Sequence, residues 1–319
     1  MSSTPASASA PAAPLAPSEP QPQPPSPAPL TSLHDRAALA ERFGRDPELH
    51  LFELGDLDEP FWSHTAWYTT SADGPVALLY AVGDVPTLLG LARPAQADHL
   101  AGLLRAMRPV LPRRLLAHLT DGGAEALAPD YRAEHRTAML RMALTDPAAL
   151  APYLGGASAA HPSGPGTGVG PGTRPGPGTE LGPGTELGPV ERLGAADLAD
   201  LRALFAAGYP GNWFDERMLT TGPYVGIRDA GGRLLSTAGV HVHSAARRVA
   251  VIGNVTTHPQ ARGRGLAAAC TARLCEVLAD SVDHIGLNVR ADHPTALALY
   301  RRLGFTTVTA YEEAVLTAC

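Results

Sequence analysis

His258 to Ala269 reads HPQARGRGLAAA, and it joins a run rich in β-branched residues to an Ala-rich helical run. Two arginines and two glycines therefore stand where a helix is about to begin. The first backbone N–H groups of a helix have no intrahelical partner, and their partial positive charge favours anions. Glycines let the backbone approach a phosphate without a Cβ in the way, and successive N–H groups form an anion-binding concavity. Arg262 and Arg264 add charged forks, Leu266 enters the core, and Ala267, Ala268 and Ala269 leave space beside the helix start. No Gly-Lys-Ser/Thr follows, so this is not a mononucleotide P-loop. The spacing Gly263-x-Gly265-x-Ala267 also differs from the dinucleotide GxGxxG fingerprint. Taken alone, the turn serves equally well as a plain connection, so its surroundings must decide.

Outward from this loop, the second part of the chain reads as an α/β sandwich. Val190–Leu193 reads as a short strand, residues 195–208 (AADLADLRALFAAG) as a helix, and residues 215–222 as a second short helix. Tyr224–Arg228 and Leu234–His243 flank a DAGG turn and make a hairpin. Strand Val249–Thr257 precedes the loop, and the helix Leu266–Leu278 follows it, with Leu266, Cys270, Leu274, Val277 and Leu278 on one face. Strand Ile285–Val289, helix Pro294–Leu303 and strand Thr306–Ala310 complete the pattern. Pro294 suits a first helical turn and Gly304 a C-terminal stop.

The loop and its sequel resemble the GCN5-related N-acetyltransferase (GNAT) superfamily, in the branch with an FR47-like C-terminal domain. The family's Q/R-x-x-G-x-G/A signature is similar to Arg262-Gly263-Arg264-Gly265-Leu266-Ala267, preceded by a strand and Pro259. LNVRADHPTALALYRRLGF, Leu287 to Phe305, resembles the second landmark, N-x-x-A-x-x-x-Y-x-x-x-G-F. The resemblance implies a mixed, mostly antiparallel sheet flanked by helices and splayed open near Val249–Thr257. It further implies that the pyrophosphate of acetyl-CoA sits on the N–H groups of Arg262, Gly263, Arg264, Gly265, Leu266 and Ala267. The pantetheine arm would lie along Val255, Thr256 and Thr257, and a backbone N–H of Thr257 or Val255 would stabilise the oxyanion. Tyr300, at the family's tyrosine, would protonate the departing thiolate, although a tyrosine in LALYRRLGF also suits a packed helix. The expected reaction is transfer of an acetyl group to a primary amine on a small molecule or peptide, by direct attack in a ternary complex.

Two positions depart from the family pattern. Asn288 stands where relatives that acetylate peptide N-termini carry a glutamate base, and an amide takes no proton at neutral pH. His293 replaces the asparagine that often contacts the cofactor arm. The alternative expectation is therefore a catalytically impaired module that binds acyl-CoA. His241 and His243, in GVHVHS, share a strand face by their spacing of two; if that face lines the cleft, one of them relays a proton through water, and if it meets solvent, both are surface histidines. Tyr209 and Trp213, in GYPGNWFDERM, fall where the resemblance places the acceptor loop, and they either shape an amine pocket or simply cap the sheet.

The rest of the sequence sets limits. A chain of 319 residues has room for two domains, and 45% hydrophobic residues allow real cores. The net charge of −6, without a basic aromatic stripe, argues against nucleic acid as partner. Cys270, Cys275 and Cys319 form no CxxC pair, so buried thiols are expected rather than a disulfide, and no metal spacing occurs. Residues 1–30 hold ten prolines and no Lys or Arg, which reads as a disordered tail rather than a secretory signal. With no run of 18 apolar residues there is no membrane span, and a cytoplasmic protein is expected. The Gly/Pro tract from Gly155 to Pro189 contains GPGTEL twice and reads as a flexible linker. The expected organisation is thus a tail at 1–30, an α/β domain at 31–152, a linker at 153–189 and the acyl-CoA domain at 190–319. In the smaller first domain, helical patterns at 33–43, 47–57 and 95–107 alternate with extended runs at 66–71, 76–82, 87–91, 115–120 and 135–144. It carries no glycine loop, acid pair or metal spacing; its alternation suggests a mixed α/β layer, and the family resemblance, which extends to tandem members, implies a degenerate copy of the same fold.

Overall fold

A computed structural model describes residues 29–81, 85–154 and 187–319. The proline-rich tail and nearly all of the Gly/Pro linker lie outside the described residues. The first half runs β1 (Thr31–Leu33), α1 (Arg36–Phe43), α2 (Leu51–Gly55), β2 (Thr65–Thr69), β3 (Ala77–Tyr80), β4 (Thr87–Gly90), α3 (Ala97–Met107), β5 (Arg114–Leu119), α4 (Gly123–Leu127) and β6 (Tyr131–Leu144), then a short α5 (Ala151–Leu154). The second runs β7 (Glu191–Leu193), α6 (Leu198–Gly208), α7 (Met218–Thr221), β8 (Tyr224–Arg228), β9 (Leu234–Ser244), β10 (Val249–Thr257), α8 (Leu266–Ala279), β11 (His284–Arg290), α9 (Pro294–Arg302) and β12 (Phe305–Ala318). Apart from α5, both halves repeat one order of strands and helices.

The local reasons are readable. Asp35 caps α1, its Oδ1 accepting from Ala37 N at 2.9 Å and Ala38 N at 3.1 Å. Leu266, Cys270, Leu274 and Leu278 recur every four residues on α8 and are buried in the largest core cluster, while Val277 is only half-buried. Gly304 ends α9 with φ +88°, and a Cβ there would meet the Asp146 carbonyl oxygen.

All twelve strands form one sheet, in the order β1-β2-β3-β4-β5-β12-β6-β11-β10-β9-β8-β7. Only the pairs β4–β5 and β10–β11 are parallel. The sheet is mixed and mostly antiparallel, with helices on its faces. Its centre holds an exchange that the linear division at 153–189 does not suggest. β6, the last strand of the first half, lies between β11 and β12 of the second, and β12 lies between β5 and β6. β12 is therefore 14 residues long, with its later residues paired to β5 from Glu312↔Leu119 to Thr317↔Arg114.

The exchange predicts how the chain responds to cutting. Cleavage within 155–186 should leave the two pieces associated on gel filtration, because separation would strip β6 from both neighbours. The piece 187–319 produced alone should lack cooperative unfolding by circular dichroism, since β11 and β12 have lost the strand between them.

Candidate active site

β10 and β11 pair only from Val249↔His284 to Ile252↔Leu287. Beyond that point they diverge: β10 continues to Thr257, and residues 288–290 of β11 keep only their pairing with β6 on the other edge. Asn254, at φ +53°, sits within a register shift between Gly253 and Thr256, so β10 bulges where the gap opens. One backbone edge of residues 253–257 thus faces the gap without a strand partner.

The loop after β10 leads straight to α8. Gly263 and Gly265 both adopt φ +77°, a conformation glycine reaches without Cβ strain, and Gly265 is the N-cap of α8. An added Cβ on Gly263 would meet nothing within 4 Å, so the turn opens to space. The first helical bond of α8 runs from Ala269 N to the Gly265 carbonyl, which leaves the N–H groups of Leu266, Ala267 and Ala268 without intrahelical partners. Arg262 turns away from the turn: its Nη2 donates to the Gly208 carbonyl at 2.9 Å and its Nε to the Thr257 carbonyl at 3.4 Å. The guanidinium thereby meets the C-terminal end of α6, where a cation is favoured. Arg264 is exposed.

Tyr300 on α9 is buried, 8% exposed, with its ring edge-on to Phe305 at 5.9 Å. Burial, with smaller contributions from Tyr209 and Cys275, raises its pKa well above the ordinary phenol value. His293 is the N-cap of α9, its Nδ1 accepting from Ala296 N at 3.2 Å. It therefore performs locally the capping that an asparagine would perform.

His241 and His243 do not share a face. A register shift between Val251↔Val242 and Ile252↔Val240 marks a bulge at His241, and it breaks the period of two. His243 joins Val240 around Gly222, and its Nε2 lies 3.0 Å from Ser281 Oγ just beyond α8. His241 lies against Gly253 and meets Trp213 edge-on at 5.5 Å. Its Nε2 is buried without a hydrogen-bond partner among the described residues. Burial lowers its pKa, with an opposing contribution from Asn254, so the imidazole is neutral at pH 7. Trp213 is 67% exposed and Tyr209 50% exposed, on the loop after α6.

Asn288 has a structural partner. Its Oδ1 accepts from Arg141 Nε at 3.2 Å, and Arg141, on β6, is fully buried. The Arg141 Nη1 donates to the Leu49 carbonyl and stands 3.6 Å from Glu53 Oε2, while the Phe52 ring lies 5.0 Å from the guanidinium carbon. Leu49, Phe52 and Glu53 all come from the first half, in and before α2. Burial alone would raise the Glu53 carboxyl, but His50 at 3.3 Å and Arg141 outweigh it and hold the pKa below the usual range. Asp56, one turn on, is pushed up to about 8 by burial and by Glu53's charge. Sequence reasoning missed this cluster, for which the one available signal was a charge interrupting the apolar run MLRMAL. Cys270 and Cys275 are buried in the core and pushed up to about 12, as unreactive thiols are.

Residues 198–305 match the family model described as Acetyltransferase (GNAT) family. The chain carries a GNAT domain. A mycothiol acetyltransferase from Beutenbergia cavernae is 36% identical over 103 residues, 32% of this chain and 32% of that protein. Another, from Clavibacter michiganensis subsp. michiganensis, is 37% identical over 94 residues, 29% of this chain and 28% of that one. The match thus spans about a third of either relative's length. An X-ray structure of a Drosophila protein is similar over 91% of this chain and 98% of its own, with a TM-score of 0.60 and 14% identity, a likeness of fold. Among the described residues no helix is long and apolar enough to cross a membrane, and no group of three or more His, Cys, Asp or Glu is placed to hold a metal.

Two predictions follow from the buried charges beside the GNAT domain's cleft. Arg141→Leu should destabilise the chain by about 3–5 kcal/mol in urea unfolding, because Glu53 loses its counter-charge in the interior, and adding Glu53→Leu should restore most of the loss. Asp56 has a folded pKa raised above its unfolded value, so its contribution to stability is full below about pH 4 and is lost as pH rises to about 8. Asp56→Asn should remove that slope, leaving the variant more stable than the parent at pH 8 in denaturant titrations across pH 5–8.

Proposed function

We propose that the protein is an N-acetyltransferase that carries an acetyl group from acetyl-CoA to a primary amine in a ternary complex. The observation that carries this reading is the gap between β10 and β11 standing directly before a helix N-terminus built on two positive-φ glycines. The residues present fit the donor. The N–H groups from Gly263 to Ala267 receive its pyrophosphate, with Gly263 and Gly265 keeping side chains out of the way. The free backbone edge at Val255, Thr256 and Thr257 takes the pantetheine arm as an added strand would be taken. His293 borders that path from the start of α9. Acetyl-CoA, when bound, supplies an activated thioester.

The protein's part is positioning and proton transfer. A backbone N–H within Val255–Thr257, fixed by the bulge at Asn254, stabilises charge on the carbonyl oxygen. Tyr300, kept protonated by burial, gives its proton to a leaving thiolate whose conjugate acid has a pKa near 8.5. Arg262 braces the loop rather than the phosphates: its N–H donates to the Pro259 carbonyl at 3.4 Å and its side chain to the Gly208 carbonyl at the end of α6. Because two relatives are named mycothiol acetyltransferases, the unacetylated amine form of mycothiol heads the acceptors to be tried. A binding module without turnover is the second reading, favoured by Asn288, whose amide is tied to Arg141 where a carboxylate base would help.

The full chain should bind acetyl-CoA by calorimetry and release free thiol with an amine panel. Gly265→Glu, which places bulk, charge and backbone strain in the turn, should abolish binding in a protein that keeps its circular dichroism. Tyr300→Phe should lower kcat by about 100-fold while leaving acetyl-CoA affinity within about twofold. Undiminished binding by folded Gly265→Glu refutes the cradle. Binding without thiol release across the panel favours the module.

A further inference from the structure

An attacking amine must shed a proton, and the residues assigned so far do not take it. Asn288 has no basic lone pair, and Tyr300 is the acid. Resting on the acetyltransferase reading, we propose that His241 is the general base, with Nε2 receiving the amine's proton through one water.

The bulge in β9 turns His241 out of the strand alternation and onto β10 at the residue before the Asn254 bulge. An ideal Cβ on Gly253 would stand 2.3 Å from Nε2, so only glycine lets the ring lie there. Gly253 is the first residue of the free backbone edge, two before Val255. A nitrogen attacking a carbonyl held along Val255–Thr257 is thus within reach of Nε2 through a single water. The ring is buried, yet Nε2 has no hydrogen-bond partner among the described residues, and an unpaired buried acceptor is costly unless something uses it. Asn254, whose side chain hydrogen-bonds to the His241 ring, also donates from Nδ2 to Tyr224 Oη at 2.9 Å and accepts at Oδ1 from Asn212 at 3.3 Å. Trp213 covers the ring edge-on from a loop position 67% exposed, which makes it the group an acceptor displaces.

The groups facing His241 are Gly253 and Asn254 on β10 and Trp213 on the loop, none of them charged. Burial without a counter-charge keeps the imidazole neutral, the form that accepts a proton. In the step, the nitrogen lone pair forms a bond to the thioester carbon and the amine's proton passes to Nε2. The C–S bond breaks with its electrons on sulfur, which takes the Tyr300 proton. The imidazolium then returns its proton through water to the phenolate, and the balance is amine plus thioester to amide plus thiol.

The test uses the full chain with acetyl-CoA and the amine panel, comparing His241→Gln with His243→Gln. His241→Gln should bind acetyl-CoA within about twofold of the parent, lose about 100-fold in kcat and lose the acid limb of the kcat–pH profile. His243→Gln should keep both. A His241→Gln enzyme with parental kcat, or with the acid limb intact, overturns the proposal. A second reading needs no acceptor: in histidine NMR of the acetyl-CoA complex, the resonance missing from His241→Gln should titrate below the ordinary histidine value. Titration at or above that value also overturns it. Failure of the parent to bind acetyl-CoA would instead remove the acetyltransferase reading itself.

Discussion

The guanidinium of Arg141 is the fixed point of this molecule. It is a fully buried cation on a strand from one half, inserted between two strands of the other. A charge so placed must be compensated, and its partners come from two segments far apart in sequence: the Leu49 carbonyl and Glu53 in and before α2, and Asn288 on β11. Register follows from this. Met142 and Leu140 point to the α8 side with the main core, whereas Arg141 points to the α2 side. A slip of one residue would drive the cation into aliphatic packing and expose two apolar side chains to the polar cluster. The same constraint gives a physical reason for Asn288. An amide oxygen satisfies Nε without adding a second carboxylate beside Glu53, where another negative charge would raise both pKa values.

With β6 held against β11, the far end of the gap between β10 and β11 is set. β11 parts from β10 after Leu287 while its other edge stays paired to β6 through Arg290, so β10 is left with an unpaired edge that leads into the Arg/Gly loop. Docking of α2 secures the closed end of the gap. A Cβ on Gly55 would overlap Val242 of β9, and one on Gly286 of β11 would overlap Leu51. Asp58, just beyond, accepts from Ser244 Oγ at 2.5 Å. The first half therefore braces the strands whose divergence makes the site, although it supplies no residue of the phosphate loop.

Much of the second half was legible because its signals are local. Val249–Thr257 is found with the bounds its β-branched run suggests, and α8 and α9 begin where the glycine turn and Pro294 place them. The strand exchange was not legible. A strand's own pattern tells which faces are apolar but not which strand lies beside it. HRTAMLRMAL and FTTVTAYEEAVLTA alternate alike whether paired within a half or across halves. The end of β12 was underestimated for the same reason, since its extension past Ala310 is stabilised by β5. The period of two at His241 and His243 failed because a bulge is a tertiary choice, made where β9 must bend around its partner.

The two halves share an element order but not a loop. Between β4 and α3 the first half has Leu91-Ala92-Arg93-Pro94-Ala95-Gln96, with no glycine. Arg93 is committed there to Asp46 at 2.7 Å and to the Val308 carbonyl at 2.8 Å. The corresponding turn thus lacks the glycines whose positive φ shapes the loop before α8. This asymmetry matches what each half must do. A cradle can be written in a dozen consecutive residues, because one turn and one helix start suffice. The face opposite it is assembled from α2, the β9 bulge and the loop after α6, and none of these carries meaning until β6 has crossed between β11 and β12. Donor chemistry in this chain is therefore local and readable, while the groups that would meet an acceptor depend on the whole interleaved sheet.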